Sequence, residues 1–174
     1  MERVKKRGLF LLLFFLWALQ ESPAIAEIET LFSPEVSIKE NILKEMESTS
    51  STLDLAIHEI TSLDMAQALV KAKQRGVKVR IVADSKQAKI KTSQINYLIR
   101  QGIPVKVLGG KEKGVMNHRF AIFDGKRVLT GSFEWSEVSA KWNYENILMV
   151  HESEVVATFQ KEFERLWREK RVIK

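Results

Sequence analysis

Hydrophobic periodicity switches repeatedly along this chain between the two-residue alternation of strands and the three-to-four-residue spacing of amphipathic helices. Ile28 to Phe32 reads as a brief strand, punctuated by Ser33-Pro34, and Ser37 to Glu47 carries Ile38, Ile42, Leu43 and Met46 on one helical stripe. Thr52 to Ile60 alternates as a strand. Thr61 and Ser62 then open a helix over Leu63 to Gln74, and Gly76 ends it. Val77 to Ala83 is the clearest strand; a helix over Thr92 to Arg100 stops before Gly102, and Val105 to Leu108 is a further strand. Val115 to Phe123 and Arg127 to Thr130 flank Asp124-Gly125, the strongest two-residue hairpin signal in the chain. Glu145 to Val150 is the last strand, and Glu152 to Lys170 is a helix with Val155, Val156, Phe159, Phe163 and Leu166 on one face. Strand–helix alternation followed by a hairpin predicts an α/β fold, an α/β/α sandwich with a mixed β-sheet and helices on both faces.

Ahead of this pattern, residues 1–26 have the three parts of a secretory signal peptide: basic Met1 to Arg7, apolar Gly8 to Leu19, and small residues at Ser22 to Ala26. The twelve-residue apolar run is shorter than the roughly 20 residues a membrane-spanning helix needs. The expectation is cleavage after Ala26 and a secreted or periplasmic protein, with an uncleaved membrane anchor as the alternative. Residues 27–174 contain no linker, repeat or low-complexity tract and read as one domain.

Composition removes several chemistries. The 174 residues include no cysteine and three histidines, which excludes a disulfide framework, a thiolate zinc site, an iron–sulfur cluster and a cysteine nucleophile. Neither common glycine-rich nucleotide fingerprint occurs. The net charge of +6 conceals a strong segregation: residues 71–127 hold fifteen bases and three acids, whereas residues 27–70 hold two bases and nine acids. Clustered Lys and Arg favour a polyanion partner through counterion release, so nucleic acid and anionic phospholipid are the candidate ligands.

The segment Gly114 to Val150, GVMNHRFAIFDGKRVLTGSFEWSEVSAKWNYENILMV, resembles the phospholipase D superfamily, most closely its small Nuc-type endonucleases and their mitochondrial relatives. That family carries H-x-K-x4-D, then G-S-x-N, then a Glu-Asn pair on the next strand. In register, Asn117 stands at the family's histidine, Arg119 at its lysine and Asp124 at its aspartate; Ser132 matches the serine, Glu134 stands at the asparagine, and Glu145-Asn146 matches the pair. Upstream, LFSPE, the strand ending near Ser62, AQALVKAKQRGVKVRIVAD and QGIPVKV extend the likeness. The resemblance implies metal-independent phosphodiester hydrolysis through a phosphohistidine, with no cofactor. It also implies a homodimer whose chains each supply half of a shared site, and an Asp124 that orients the histidine.

Three site letters depart from that pattern. An imidazole titrates near neutrality and can attack phosphorus, whereas the carboxamide of Asn117 has no basic nitrogen. Losing a covalent nucleophile costs orders of magnitude in rate. Arg119 keeps a phosphate-binding charge, but Glu134 adds a carboxylate that repels a phosphodiester. The sequence therefore predicts impaired or absent turnover and a catalytically inactive binding protein as the alternative. Two imidazoles could serve in a rearranged site. Strand alternation sets His118 on the face opposite Asn117 and Arg119, and His58 lies on a strand as a site-lining or core residue. Ser132 is also a candidate N-cap for a helix starting at Phe133, and Trp135 and Trp142 read first as packing aromatics.

Overall fold

The computed structural model of the protein describes residues 28–170, so the signal-peptide expectation for residues 1–26 falls outside them. In chain order the first half runs β1 (Ile28–Phe32), α1 (Ile38–Ser48), β2 (Thr52–Ile57), α2 (Leu63–Gln74), β3 (Lys78–Asp84) and α3 (Ile95–Arg100). The second half runs β4 (Val105–Leu108), β5 (Arg119–Phe123), β6 (Arg127–Gly131), α4 (Glu137–Lys141), β7 (Asn146–Val150) and α5 (Ser153–Arg168). The strands join in one sheet in the order β1-β7-β6-β5-β2-β3-β4. β2, β3 and β4 are parallel, and every other neighbouring pair is antiparallel. The mixed sheet follows from the connections: helical crossovers join the parallel strands, whereas the Asp124-Gly125 turn allows only an antiparallel β5–β6 pair.

Apolar residues on both faces of the central strands require a cover on both sides. On one side α1, α2 and α3 bring Ile42, Met65, Leu69 and Leu98 onto Leu53, Leu55 and Ile81. On the other, α5 seats Val156, Phe163 and Leu166 on Ala56, Val82, Phe120, Ile122 and Val128. The expected α/β/α sandwich is the observed one. At the turn, Asp124 (φ 54°) and Gly125 (φ 64°) both adopt left-handed backbone, as an Asp-Gly hairpin turn requires, but Phe123 pairs with Arg127, so the loop holds three residues, Asp124 to Lys126, rather than the expected two.

Three boundaries differ from the sequence reading, and one of them is the start of α3, which lies at Ile95 rather than Thr92. β2 stops at Ile57 and β5 begins only at Arg119, because Ile57 pairs with Arg119 and the chain bends at His58, leaving earlier residues without a ladder partner. Val115 retains only an isolated bridge to Gly109. The segment after Trp135, read as a connection, contains the single-turn helix α4, capped by Ser136, whose Oγ accepts from Ser139 N at 3.1 Å.

Candidate active site

β2 ends, β5 begins, β6 ends and β7 begins on one rim of the sheet. That rim gathers His58, Arg119, Ser132, Glu134 and Glu145. Gly131 is required where β6 meets β7, since a Cβ there would overlap the Asn146 backbone. This close approach lets Ser132 N donate to Asn146 O at 3.0 Å and Asn146 N donate to Ser132 Oγ at 3.0 Å. Ser132 Oγ in turn donates to Glu145 Oε2 at 2.5 Å, and Asn143 Nδ2 donates to Glu145 Oε1 at 3.0 Å. Glu145 is buried, and neutral donors occupy both its oxygens. Ser132 is thus committed to Glu145 and Asn146 rather than to a helix N-terminus; Ser136 takes the capping role expected of it.

Arg119 and Glu134 face each other. Arg119 Nε donates to Glu134 Oε1 at 2.5 Å, and its Nη2 pairs with the same oxygen. Glu134 Oε2 is buried without a hydrogen-bond partner. Burial pushes the Glu134 carboxyl above its ordinary pKa, outweighing the Arg119 guanidinium that pulls it down; His58 also lowers it and Glu59 raises it. His58 Nδ1 lies 3.2 Å from Met116 O. A carbonyl only accepts, so Nδ1 is the donor in this contact.

Asp124 is not brought to this rim. It sits in the turn at the opposite end of β5, about 17 Å from Arg119 at roughly 3.4 Å per residue. Its carboxylate accepts from Ser51 N at 2.7 Å, Thr52 N at 3.0 Å, Ser50 N at 3.1 Å and Ser51 Oγ at 2.8 Å. Burial alone would raise its pKa, but these donors prevail and hold it well below the usual carboxylate range. The expected role of orienting a residue at position 117 is therefore replaced by a structural one: Asp124 staples the hairpin to the start of β2.

His118 turns to the other face of the sheet, as alternation requires. Its Nε2 is 3.2 Å from Glu162 Oε1 on α5, and its ring meets Phe120 edge-on at 5.5 Å. Asn117 is exposed just ahead of β5 and, with His118, lines a cavity of about 770 Å³ between the β4–β5 loop and the end of α5. Trp135 is buried, as expected of a packing aromatic, but Trp142 is 79% exposed and packs into no core. The Arg119–Glu134 pairing was missed in the sequence. Its signal was present, since an arginine at the start of one hairpin arm and a glutamate three residues past the end of the other replace two family letters.

An α/β/α sandwich with a cation, a serine and a buried glutamate on the rim where the hairpin strands meet the central parallel strands defines a phospholipase D-type domain. The family model described as "Cardiolipin synthase, PLD-like domain" matches residues 42–167, and the chain belongs to that family. It is 35% identical over 128 residues to a mitochondrial cardiolipin hydrolase of Mus musculus, covering 74% of this chain and 57% of the relative. A mitochondrial cardiolipin hydrolase of Chlamydomonas reinhardtii is 35% identical over 120 residues, covering 69% of this chain and 53% of the relative. The chain thus spans about half the length of these curated relatives. Among solved structures, Nuc from Salmonella typhimurium, a phospholipase D family member, superposes with a TM-score of 0.77 at 25% identity, covering 86% of this chain and 99% of that one. NucT from Helicobacter pylori gives 0.74 at 26% identity, covering 82% and 96%. The expectation of a secreted or periplasmic protein is corrected by these relatives, which are named as mitochondrial. Among the described residues no helix is long and apolar enough to cross a membrane.

Proposed function

We propose that this chain is a catalytically silenced phospholipase D-like protein, one that binds phosphodiester-bearing anions rather than cleaving them. The observation that carries this reading is the Arg119–Glu134 ion pair. In a working phosphodiesterase the cation on this strand must be free for phosphate; here a neighbouring carboxylate holds it. Asn117 then leaves the position of the attacking group without a basic nitrogen, and Glu145 binds Ser132 and Asn143 with no imidazole to orient. The resemblance adds a homodimer, since one motif per chain calls for two chains, and two-fold pairs are the commonest oligomers. Sedimentation at twice the chain mass is the expected result.

The direct test is hydrolysis of bis(p-nitrophenyl) phosphate in EDTA. Turnover at the level of buffer is expected, and robust EDTA-resistant turnover overturns the reading. A second prediction concerns the ion pair. Glu134→Gln removes the competing charge, so sulfate is expected to bind about tenfold more tightly than to the natural protein, within the range of one charge-assisted hydrogen bond. Titration calorimetry reads this directly. Because Glu134 has a raised pKa, its neutral form gains population as pH falls, and sulfate affinity of the natural protein rises on acidification. The variant lacks that part of the rise. The difference between the two proteins in this rise is the diagnostic quantity.

A further inference from the structure

Asp84, the last residue of β3, is fully buried, and no cation pairs with it among the described residues. A carboxyl group taken out of water is costly unless its oxygens receive hydrogen bonds. Asp84 meets that need with backbone amides, divided between its two oxygens. Oδ1 accepts from Lys86 N at 2.8 Å and from Gln87 N at 3.0 Å, which closes the turn after β3. Oδ2 reaches a different segment and accepts from Met116 N at 2.9 Å, thirty-two residues away in sequence. Met116 stands directly before Asn117, and its side chain is buried with Phe120 and Leu166 in the cluster under α5. Its carbonyl accepts from His58 Nδ1 at 3.2 Å. The β2–β3 ladder ends with Ile57 opposite Ala83, so His58 and Asp84 leave the sheet side by side. One residue thus joins Asp84, the His58 ring and the backbone from which Asn117 projects.

We propose that Asp84 is the positioning residue of this rim: by holding Met116 N it fixes both the carbonyl that orients His58 and the backbone that carries position 117. The resemblance gives an orienting task of this kind to Asp124, which lies at the far end of β5 and is spent on Ser50, Ser51 and Thr52. A carboxyl group on β3 performs it instead, through a backbone link rather than by touching the oriented side chain. Closing the turn after β3 does not account for the arrangement, because Oδ1 alone serves Lys86 and Gln87 and leaves Oδ2 for Met116. Outer hydrogen bonds of this type decide where a site's side chains point and which ring nitrogen of a histidine donates. The inference goes beyond the silenced-site reading and does not depend on it, since it concerns the placement of side chains and not turnover.

Asp84→Asn separates the two tasks of the side chain. Its amide oxygen keeps the bonds from Lys86 and Gln87, while its amide nitrogen, a donor, opposes the Met116 N–H. Because the chain has three histidines, nitrogen-15 spectra of the imidazole rings are readable residue by residue. In the natural protein the His58 ring is expected to carry a proton on Nδ1. The Met116 amide is expected to exchange with solvent about a hundredfold more slowly than the amides of exposed Lys111 and Lys113. In Asp84→Asn that amide is expected to exchange about tenfold faster, the scale of one lost hydrogen bond. The His58 signals are expected to shift as the ring divides its proton between both nitrogens. His151, which follows β7 at the other end of the sheet, serves as the control and is expected to stay unchanged. A His58 ring that does not respond when the Met116 amide is freed overturns the proposal. So does a response shared equally by His151, which marks general loosening and not positioning. Where Asp84→Asn fails to fold, the natural protein decides. A Met116 amide exchanging as fast as that of Lys111, or a His58 ring without a proton on Nδ1, overturns the proposal, and a slow amide with a protonated Nδ1 supports it.

Discussion

Restoring three letters together, Asn117→His, Arg119→Lys and Glu134→Asn, is expected to raise metal-free hydrolysis of bis(p-nitrophenyl) phosphate by about three orders of magnitude over the natural chain, the scale on which a covalent nucleophile acts. Asn117→His alone is expected to give a small fraction of that gain. An imidazole at position 117 needs a phosphate held in line, and the neighbouring guanidinium is held by Glu134. Glu134→Asn alone is expected to improve anion binding without turnover, because no nucleophile accompanies it. The effects are therefore strongly non-additive, as they are wherever residues act as a unit. If Asn117→His alone reaches the rate of the triple variant, the ion pair is no obstacle and the silencing rests on one side chain. If the triple variant stays at background, the departures extend beyond these positions. His118 offers no shortcut, since it faces Glu162 on α5 rather than Arg119.

Sequence reasoning recovers what local rules determine. The Asp-Gly turn dictates a hairpin whichever fold surrounds it, and the observed positive φ angles at Asp124 and Gly125 are the ones that dipeptide favours. The alternation through Arg119 to Phe123 correctly separates His118 from Arg119, because side-chain direction in a strand depends only on parity. What local rules miss is anything decided by partners distant in sequence. Asp124 binds Ser50, Ser51 and Thr52, more than seventy residues earlier, and nothing in its own neighbourhood announces that attachment. Arg119 and Glu134 are fifteen residues apart. Each looks like an isolated departure until the hairpin returns the chain past the end of β6 to the start of β5, when the two substitutions become one compensated change. The exposure of Trp142 is likewise invisible to a rule that assigns aromatics to cores, since it depends on α4 ending before the chain re-enters the sheet.

The largest stability effect is expected not at the rim but under α5, where Arg80 binds two layers together. Its Nε and Nη2 donate to Asp54 at 2.8 and 2.7 Å, and Nη2 donates to Glu164 at 2.6 Å. The guanidinium lies over the rings of Phe163 and Trp167, 4.9 and 5.4 Å from their centroids. Gln160 Nε2 supplies a further donor to Asp54 at 2.8 Å. Asp54→Ala leaves Gln160 and two guanidinium bonds without their acceptor on a nearly dry sheet face. Breaking a buried pair from one side costs about 3–5 kcal/mol. Arg80 keeps Glu164 and is 30% exposed, which puts the expected loss near the lower bound, about 3 kcal/mol. Denaturant unfolding followed by circular dichroism measures it. The double variant Asp54→Ala with Arg80→Met is expected to regain part of the loss, because the methionine removes the orphaned charge and still fills the space beside Phe163. A double variant as unstable as the sum of its two single variants would show that the network adds nothing beyond its separate contacts.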